Sequence, residues 1–358
     1  MKSQRGSQSR RGIALIIVMV AIFVLSVLIG AFAYSMKVET KLAMNANQES
    51  DLIWLGRSGV EFARWVLVQQ TAVPGEPYDA LNQKWAGGTG TLAASNSPLA
   101  AVSLQNYQIG DGTVSIRITD NERKFNINQA NEQILQRVLT AVGVDAGEIP
   151  AITASIIDWI DPDDVTHVNG AESDHYESLV PPYSAKNRPM DDLSELLLVR
   201  GVTLDMYWGS ASSNHIVAAF QPVDRWGRPM EAPVYPMGFV DVFTPLSNGR
   251  INVNTASAQT LQIIPLVDES GAAQIVQQRA GPDGVDGTED DLPFRSPGEA
   301  GMIVNQAVAQ QCTQFGTVRS SVFEVVVEAT LGNYRKTFHA TLARTPPRDV
   351  QILSFRWE

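Results

Sequence analysis

The chain has 358 residues, a formal net charge of −11 and 44% apolar residues, an ordinary globular composition with room for one sizeable core or two to three small ones. The acidic balance argues against nucleic acid, where affinity comes largely from Lys and Arg neutralising phosphates, and suits hard cations or partners that tolerate acidic surfaces. A single cysteine, Cys312, excludes an intramolecular disulfide and reads as a small buried hydrophobe, so the fold rests on its core, on metal or on assembly.

At the N-terminus a basic run, Lys2, Arg5, Arg10 and Arg11, meets a long apolar run at Gly12. Ile13 to Met36 carries no charge over 24 residues; as a helix it spans about 36 Å and crosses a hydrocarbon core of about 30 Å with some tilt. A secretory signal has an apolar region of only about 7–15 residues, and no small-residue cleavage site follows this one. The basic flank and the following KVETK place the N-terminus in the cytoplasm and the remainder outside.

The border Arg10-Arg11-Gly12-Ile13-Ala14-Leu15 resembles the class III leader of type IV pilins and type II secretion pseudopilins. The resemblance implies a prepilin peptidase that cuts between Gly12 and Ile13, N-methylation of Ile13, and an apolar helix kept in the mature protein. Most members carry glutamate at the fifth mature position, where this chain has Ile17. A carboxylate in a bilayer is costly and needs a partner. In the resembled family, its absence typifies the K-type minor pseudopilin.

The helix is predicted to continue to about residue 70. Leu52, Leu55, Gly59, Phe62 and Val66 recur every three or four positions as one apolar stripe, with Trp54 and Trp65 nearby. Pro74, Gly75, Pro77 and GGTGTLAASNSP read as loop, and NYQIGDGTVSIRITD alternates as a strand at Val114, Ile116 and Ile118. At the far end, VFEVVVEAT, the turn LGN and YRKTFHATLAR form a predicted hairpin at Gly332-Asn333, and VQILSFRWE adds one strand. These strands cannot form a good core alone. The expectation is a helix on an antiparallel sheet, split in sequence by residues 121–316.

The splitting region holds an internal repeat. Residues 125–164, FNINQANEQILQRVLTAVGVDAGEIPAITASIIDWIDPDD, and 251–284, INVNTASAQTLQIIPLVDESGAAQIVQQRAGPDG, both begin N-[IV]-N-x-A. Asn128 and Asn254 are placed to cap a helix; a break, a second helix and an acidic Pro-Asp turn follow. The breaks VGVDAGEIP and LVDESGAAQ are acidic, unlike helical hairpins that bring backbone amides and basic residues to phosphate.

The ordered set FNIN, IIDWIDPDD, NGAESDHY, PPY, KNRPMDDLSELLLVRGV and INVNTA resembles the K-type minor pseudopilin family of type II secretion, from Gly12 to the C-terminal strands. It implies an α+β, pilin-like fold: a long N-terminal transmembrane helix on a small antiparallel sheet, interrupted by a large α-helical insertion with two helical-hairpin, SAM-like repeats. Expected boundaries are a leader at 1–12, a transmembrane helix at 13–36 continuing to about 70, and a first α/β part at 71–120. An α-helical insertion at 121–220, a second repeat with an acidic loop at 221–316 and C-terminal strands at 317–358 complete the division. The resemblance further implies inner-membrane anchoring, a place at the tip of a periplasmic pseudopilus with I-type and J-type minor pseudopilins, and bound calcium.

The sharpest local motif is GPDGVDGTEDDLPF, residues 281–294. Asp283, Asp286, Glu289, Asp290 and Asp291 alternate there with Gly281, Gly284 and Gly287, and calcium takes six to eight oxygens from a loop that glycines let wrap. The spacing is not that of an EF-hand. Asp158, Asp161, Asp163 and Asp164, with Glu172 and Asp174 beyond, form a second candidate cation cluster or a capped, solvated turn. His167, His175, His215 and His339 are scattered, and no HExxH, GxSxG or CxxC occurs. Asp191, Asp192 and Glu195 suit a helix N-terminus and Gly201 its end. The resemblance implies a non-enzymatic function: a minor pseudopilin that initiates assembly and helps export folded proteins across an outer membrane. A minor pilin of a type IV or competence pilus shares the leader, an anchored receptor would keep residues 1–12, and an anchored hydrolase would need a nucleophile–base pair.

Overall fold

The structure is a computed structural model that describes residues 9–209, 235–345 and 349–358. Most of the leader, His215 and the expected boundary at residues 220 and 221 lie outside the described residues. Helix α1, Ser9–Gln70, runs unbroken for 62 residues, about 93 Å. No proline interrupts it, and Gly12 and Ile13 lie in its first turns. From Ala14 to Asn47 its side chains are exposed, and it is long and apolar enough to cross a membrane. From Leu52 onward one face turns inward: Leu52, Leu55, Val60, Ala63, Val66 and Leu67 are buried. Gly56 and Gly59 let the helix approach the sheet closely, since a β-carbon at either would overlap Phe338 or Val327.

That sheet has five strands, all antiparallel, two from before the insertion and three from after it. β1, Tyr107–Ile109, and β2, Gly112–Asp120, form a hairpin. β2 then pairs with a strand that follows the whole insertion. Val114, Ile116 and Ile118 point at α1, as the period-two pattern requires, with polar residues between them. Phe62 of the predicted stripe is only partly buried, and stacks on Tyr107 at 4.5 Å between ring centroids.

The insertion starts with β3, Phe125–Asn126, then α2, Glu132–Val142, α3, Ile149–Ile160, and α4, Ser173–Glu177. A 3-10 turn at Leu193–Leu198, α5, Leu204–Trp208, α6, Phe239–Val242, and β4, Phe243–Thr244, follow. The second half comprises β5, Ile251–Asn252, α7, Ala258–Leu261, α8, Glu269–Arg279, α9, Pro297–Met302, α10, Gln306–Phe315, and β6, Gly316–Thr317. β7, Val322–Leu331, β8, Tyr334–Thr345, and β9, Asp349–Trp357, then complete the sheet. At the turn between β7 and β8 only Gly332 takes positive φ, +58°.

The two halves of the insertion share geometry beyond the predicted repeat. β3 pairs in parallel with β4, and β5 with β6. Asn128 and Asn254 do not cap helices; Asn131 and Ser257 do, accepting from the Ile134 and Thr260 amides. Each asparagine instead clips a distant backbone residue from both sides. Asn128 donates to the Met190 carbonyl at 3.0 Å and accepts its amide at 2.7 Å. Asn254 makes the same pair with Phe294, both at 2.9 Å. A capping box follows each clip: Glu195 accepts the Asp191 and Asp192 amides, and Glu299 those of Arg295 and Ser296. Arg137 ties the halves together, its guanidinium reaching the Gln262, Ile264 and Val267 carbonyls at 3.0–3.3 Å.

A buried polar knot joins insertion to sheet. Asp120, at the end of β2, accepts from Asn252, Thr255 and Ser320 at 3.1, 2.6 and 2.7 Å. Glu122 accepts the Asn248 and Val322 amides and the Ser321 hydroxyl. Asp79 and Arg344 form a buried ion pair beside them. The insertion is fixed at its root by groups that have left water entirely, and breaking such a knot costs more than breaking surface contacts.

Candidate metal centre

The apolar face of α3 fixes Asp158 inward on its last full turn, with no solvent exposure. The helix ends at Asp161, and the turn carrying Pro162, Asp163 and Asp164 sends the chain back across the helix end. There the His167 backbone amide donates to Asp158 Oδ1 at 3.1 Å, and its Nδ1 lies 2.5 Å from the same oxygen. Gly170 passes so close that a β-carbon would overlap Asp158 Oδ2. Glu172, directly before α4, is 2% exposed. Two sets of ligand atoms result, each within 4.8 Å: Asp158, Asp161 and His167, and Asp161, Asp163 and Glu172.

This cluster is short of donors. Asp158 Oδ2, Asp161 Oδ1 and both oxygens of Glu172 are buried without a hydrogen-bond partner, as is Asn187 Oδ1 beside them. Lys186 does not supply the missing charge, because Asp191 and Glu195 hold its ammonium at 2.7 and 2.6 Å. Burial and the charges of Asp158, Asp161 and Asp164 push the Glu172 carboxyl up to about 7. Burial first, then Asp163 and Asp158, raises Asp161. Asp164 sits low because Ser173 and Asn187 donate to it. Buried, unpartnered carboxylates are costly unless a cation joins them. Calcium accepts six to eight oxygens, carboxylate and amide carbonyl among them, and the donor set here fits it.

A pH dependence follows for the metal-free chain. Glu172 binds its proton more tightly folded than unfolded, so the folded state loses stability as pH rises from its ordinary 4.5 through about 7. His167, raised by its hydrogen bond to Asp158, acts in the same direction. The metal-free thermal midpoint should therefore rise as pH falls from about 8 to about 5, and Glu172→Gln should flatten that slope in a calorimetric series.

The loop at 281–294 has a different character. Gly281, Gly284 and Gly287 take φ of +68°, +70° and +96°, as the expected wrap requires. No Lys or Arg lies inside the loop, but Arg279, two residues ahead of it, reaches into it. Asp286 receives Arg279 Nε and Nη2 at 3.0 and 2.8 Å, and the same guanidinium binds the Val253 and Ala256 carbonyls. Asp290 accepts the Thr288 hydroxyl at 2.7 Å and the Asp283 amide at 3.1 Å. Asp291 accepts the Gly287 amide at 2.8 Å, Asp283 the Val285 amide at 2.8 Å, and Glu289 stays exposed. The loop's aspartates are satisfied by Arg279 and by the loop's own amides and hydroxyl, whereas the cluster at α3 keeps buried oxygens without donors.

Asp158, Asp161 and Asp163 are thus brought together as the sequence suggested, while Asp164 caps outward. Glu172, placed beyond them in sequence, joins them through a burial that no spacing announced, while Asp174 stays exposed; His167 and Asn187 are the additions. Cys312 is buried, and burial pushes its thiol up to about 11.

The family model for type II secretion system protein K matches residues 112–209, which hold this whole centre. The chain is 32% identical over 169 residues to type II secretion system protein K of Klebsiella pneumoniae, covering 39% of this chain and 51% of the relative. It is 22% identical over 369 residues to the protein K of Pseudomonas aeruginosa, covering 97% of this chain and 92% of the relative. What the chain is similar to, over these residues and across its length, is type II secretion system protein K. The match spans about half of the Klebsiella protein K and 42% of that of Pectobacterium carotovorum subsp. carotovorum. Among solved structures, a chain of the GspK–GspI–GspJ complex from the enterotoxigenic Escherichia coli type 2 secretion system superposes with a TM-score of 0.60 at 18% identity. The superposition covers 88% of this chain and 99% of that one, so the likeness in fold extends over both the pilin-like unit and the insertion.

Proposed function

We propose that the chain is a minor pseudopilin at the tip of a type II secretion pseudopilus, where it initiates assembly and helps export folded proteins across the outer membrane. One observation carries the reading: a bare apolar helix that enters a pilin-like helix-on-sheet unit without a break. Such a helix serves as a membrane anchor and, withdrawn from the bilayer, as the core of a fibre. The leader-like border at Gly12 and Ile13 supports cleavage between them by a prepilin peptidase and methylation of Ile13. Ile17 offers no carboxylate to a subunit ahead, which suits the first position in the fibre. I-type and J-type minor pseudopilins are the proposed partners, supported by the solved relative that is described in complex with GspI and GspJ. The anchor would sit in the inner membrane with the bulk in the periplasm. The role is one of assembly, without catalysis. Calcium is the proposed ion, held by Asp158, Asp161, Asp163 and Glu172 with Asn187 in reach.

Mass spectrometry of the membrane-extracted protein tests the reading. A mature chain beginning at N-methyl-Ile13, co-purifying with I-type and J-type partners, is expected. An uncut N-terminus, or capture of type IV pilus subunits instead, would overturn it.

A further inference from the structure

Under the insertion, a cleft of about 530 Å³ opens against the face of the sheet that turns away from α1. Its floor is a row of cross-strand partners. Thr119 of β2 lies opposite Glu324 of β7, and Glu324 opposite Thr341 of β8. The row ends at Arg356 on β9, the strand paired with β8. Three strand spacings of about 4.8 Å separate β2 from β9, or about 14 Å. The insertion supplies the opposite wall, where Leu193, Trp208 and Phe243 line the cleft.

Most acids along this cleft already have donors. Asp191 holds Lys186 at 2.7 Å, Asp192 accepts the Ser194 amide at 2.8 Å, and Asp120 belongs to the knot at the root. The cations are not matched in the same way. Lys124 gives one hydrogen to the Val240 carbonyl at 2.5 Å and has two left. Burial and the neighbouring Arg123 guanidinium hold its ammonium below the usual lysine range. Glu324, the remaining acid, acts on Lys124 from beyond ion-pair distance. Arg356 feels Asp192 across the gap in the same way. Among the described residues, neither Arg123 nor Arg356 has a hydrogen bond or an ion pair. Cations crowded together without a counter-ion favour an added carboxylate, and charge-assisted hydrogen bonds are the strong kind.

We propose that this cleft binds an extended acidic peptide segment of a partner polypeptide, with one carboxylate at Arg123 and Lys124 and a second at Arg356. At about 3.3 Å per residue, about four residues of extended chain span the floor, which sets the two acids at i and i+4. Thr119 and Thr341 offer hydroxyls to the peptide backbone, and Leu193, Trp208 and Phe243 take an apolar side chain between the acids. The inference stands apart from the cation centre and from the place in a fibre, since it uses neither the end of α3 nor the exposed part of α1.

A fluorescein-labelled Asp-Thr-Leu-Thr-Asp peptide is the probe, titrated by anisotropy against the full chain in detergent with calcium present. Saturable binding is expected, and the Asn-Thr-Leu-Thr-Asn analogue should bind about tenfold more weakly. Lys124→Gln should weaken the acidic peptide about tenfold and Arg356→Gln about fivefold. Arg335→Gln, which removes a cation of β8 outside the cleft, should leave binding unchanged. Arg356 is exposed, so its variant keeps the parent's thermal midpoint and its loss of binding is not a loss of fold. Equal binding of the two peptides, or binding unchanged in both Lys124→Gln and Arg356→Gln, overturns the site. Glutarate that displaces the peptide mole for mole also overturns it, because no apolar side chain is then being read.

Discussion

Exchange of Arg344 for methionine is expected to lower the thermal midpoint of the chain by roughly 10 °C, the largest single-residue effect at the root of the insertion. The guanidinium is 7% exposed. Its Nη1 donates to Asp79 Oδ1 at 3.0 Å, its Nη2 to Asp79 Oδ2 and the Ser320 carbonyl, and its plane lies 5.0 Å from the Phe323 ring centroid. Methionine keeps much of the volume and abandons Asp79, a carboxylate 1% exposed whose other donor is the Ser320 amide at 2.9 Å. Removing one partner of a buried pair costs about 3–5 kcal/mol, and each kcal/mol moves the midpoint of a domain this large by about 2–4 °C. Asp79→Asn placed on top of Arg344→Met should restore part of the loss, because the stranded charge is then gone. A calorimetric midpoint within about 2 °C of the parent would show that the knot contributes little.

Removal of divalent cations should act on a similar scale. An ion held about 1,000-fold above its dissociation constant contributes about 4 kcal/mol, so chelation is expected to lower the midpoint by about 10 °C and calcium to restore it. The physical source is repulsion: Asp158, Asp161 and Glu172 present four buried oxygens without donors. Glu172→Gln therefore separates two effects. It should stabilise the chelated protein, by removing one charge, and abolish most of the gain from calcium, by removing a ligand. Asp290→Asn, in a loop whose carboxylates already have donors, should leave the response unchanged. A response lost in Asp290→Asn and kept in Glu172→Gln would move the ion to the glycine-rich loop.

Several elements were legible before any coordinates because their signals are local. Twenty-four uncharged residues can hardly be other than a membrane-length helix, and Val114, Ile116 and Ile118 alternate as only a strand does. The repeat was visible through N-[IV]-N-x-A, but its extent was not. Its later parts, Met190 with Glu195 and Phe294 with Glu299, share a geometry of backbone clips and capping boxes and almost no spelling. The order of the two acidic clusters was hidden for a related reason. Counting carboxylates favoured residues 281–294, yet what decides a cation site is whether the donors have already been taken. Arg279 lies outside that loop in sequence and inside it in space, and only the fold shows Lys186 committed to Asp191 and Glu195.

The pairing of β2 with β7 has a temporal side. Val114 sits opposite Ala329, so α1 and β2 wait for the entire insertion to be made before their sheet can close. Until then, among the described residues, the strands of that sheet available to cover Leu55, Val66 and Leu67 are those of one short hairpin. The insertion, with its own core from Phe125 to Cys312, has no need to wait and can fold first. A chain interrupted before Val322 would carry a finished crown on an open, sticky stem. Closure of the stem thus reports that the chain has been made through β7.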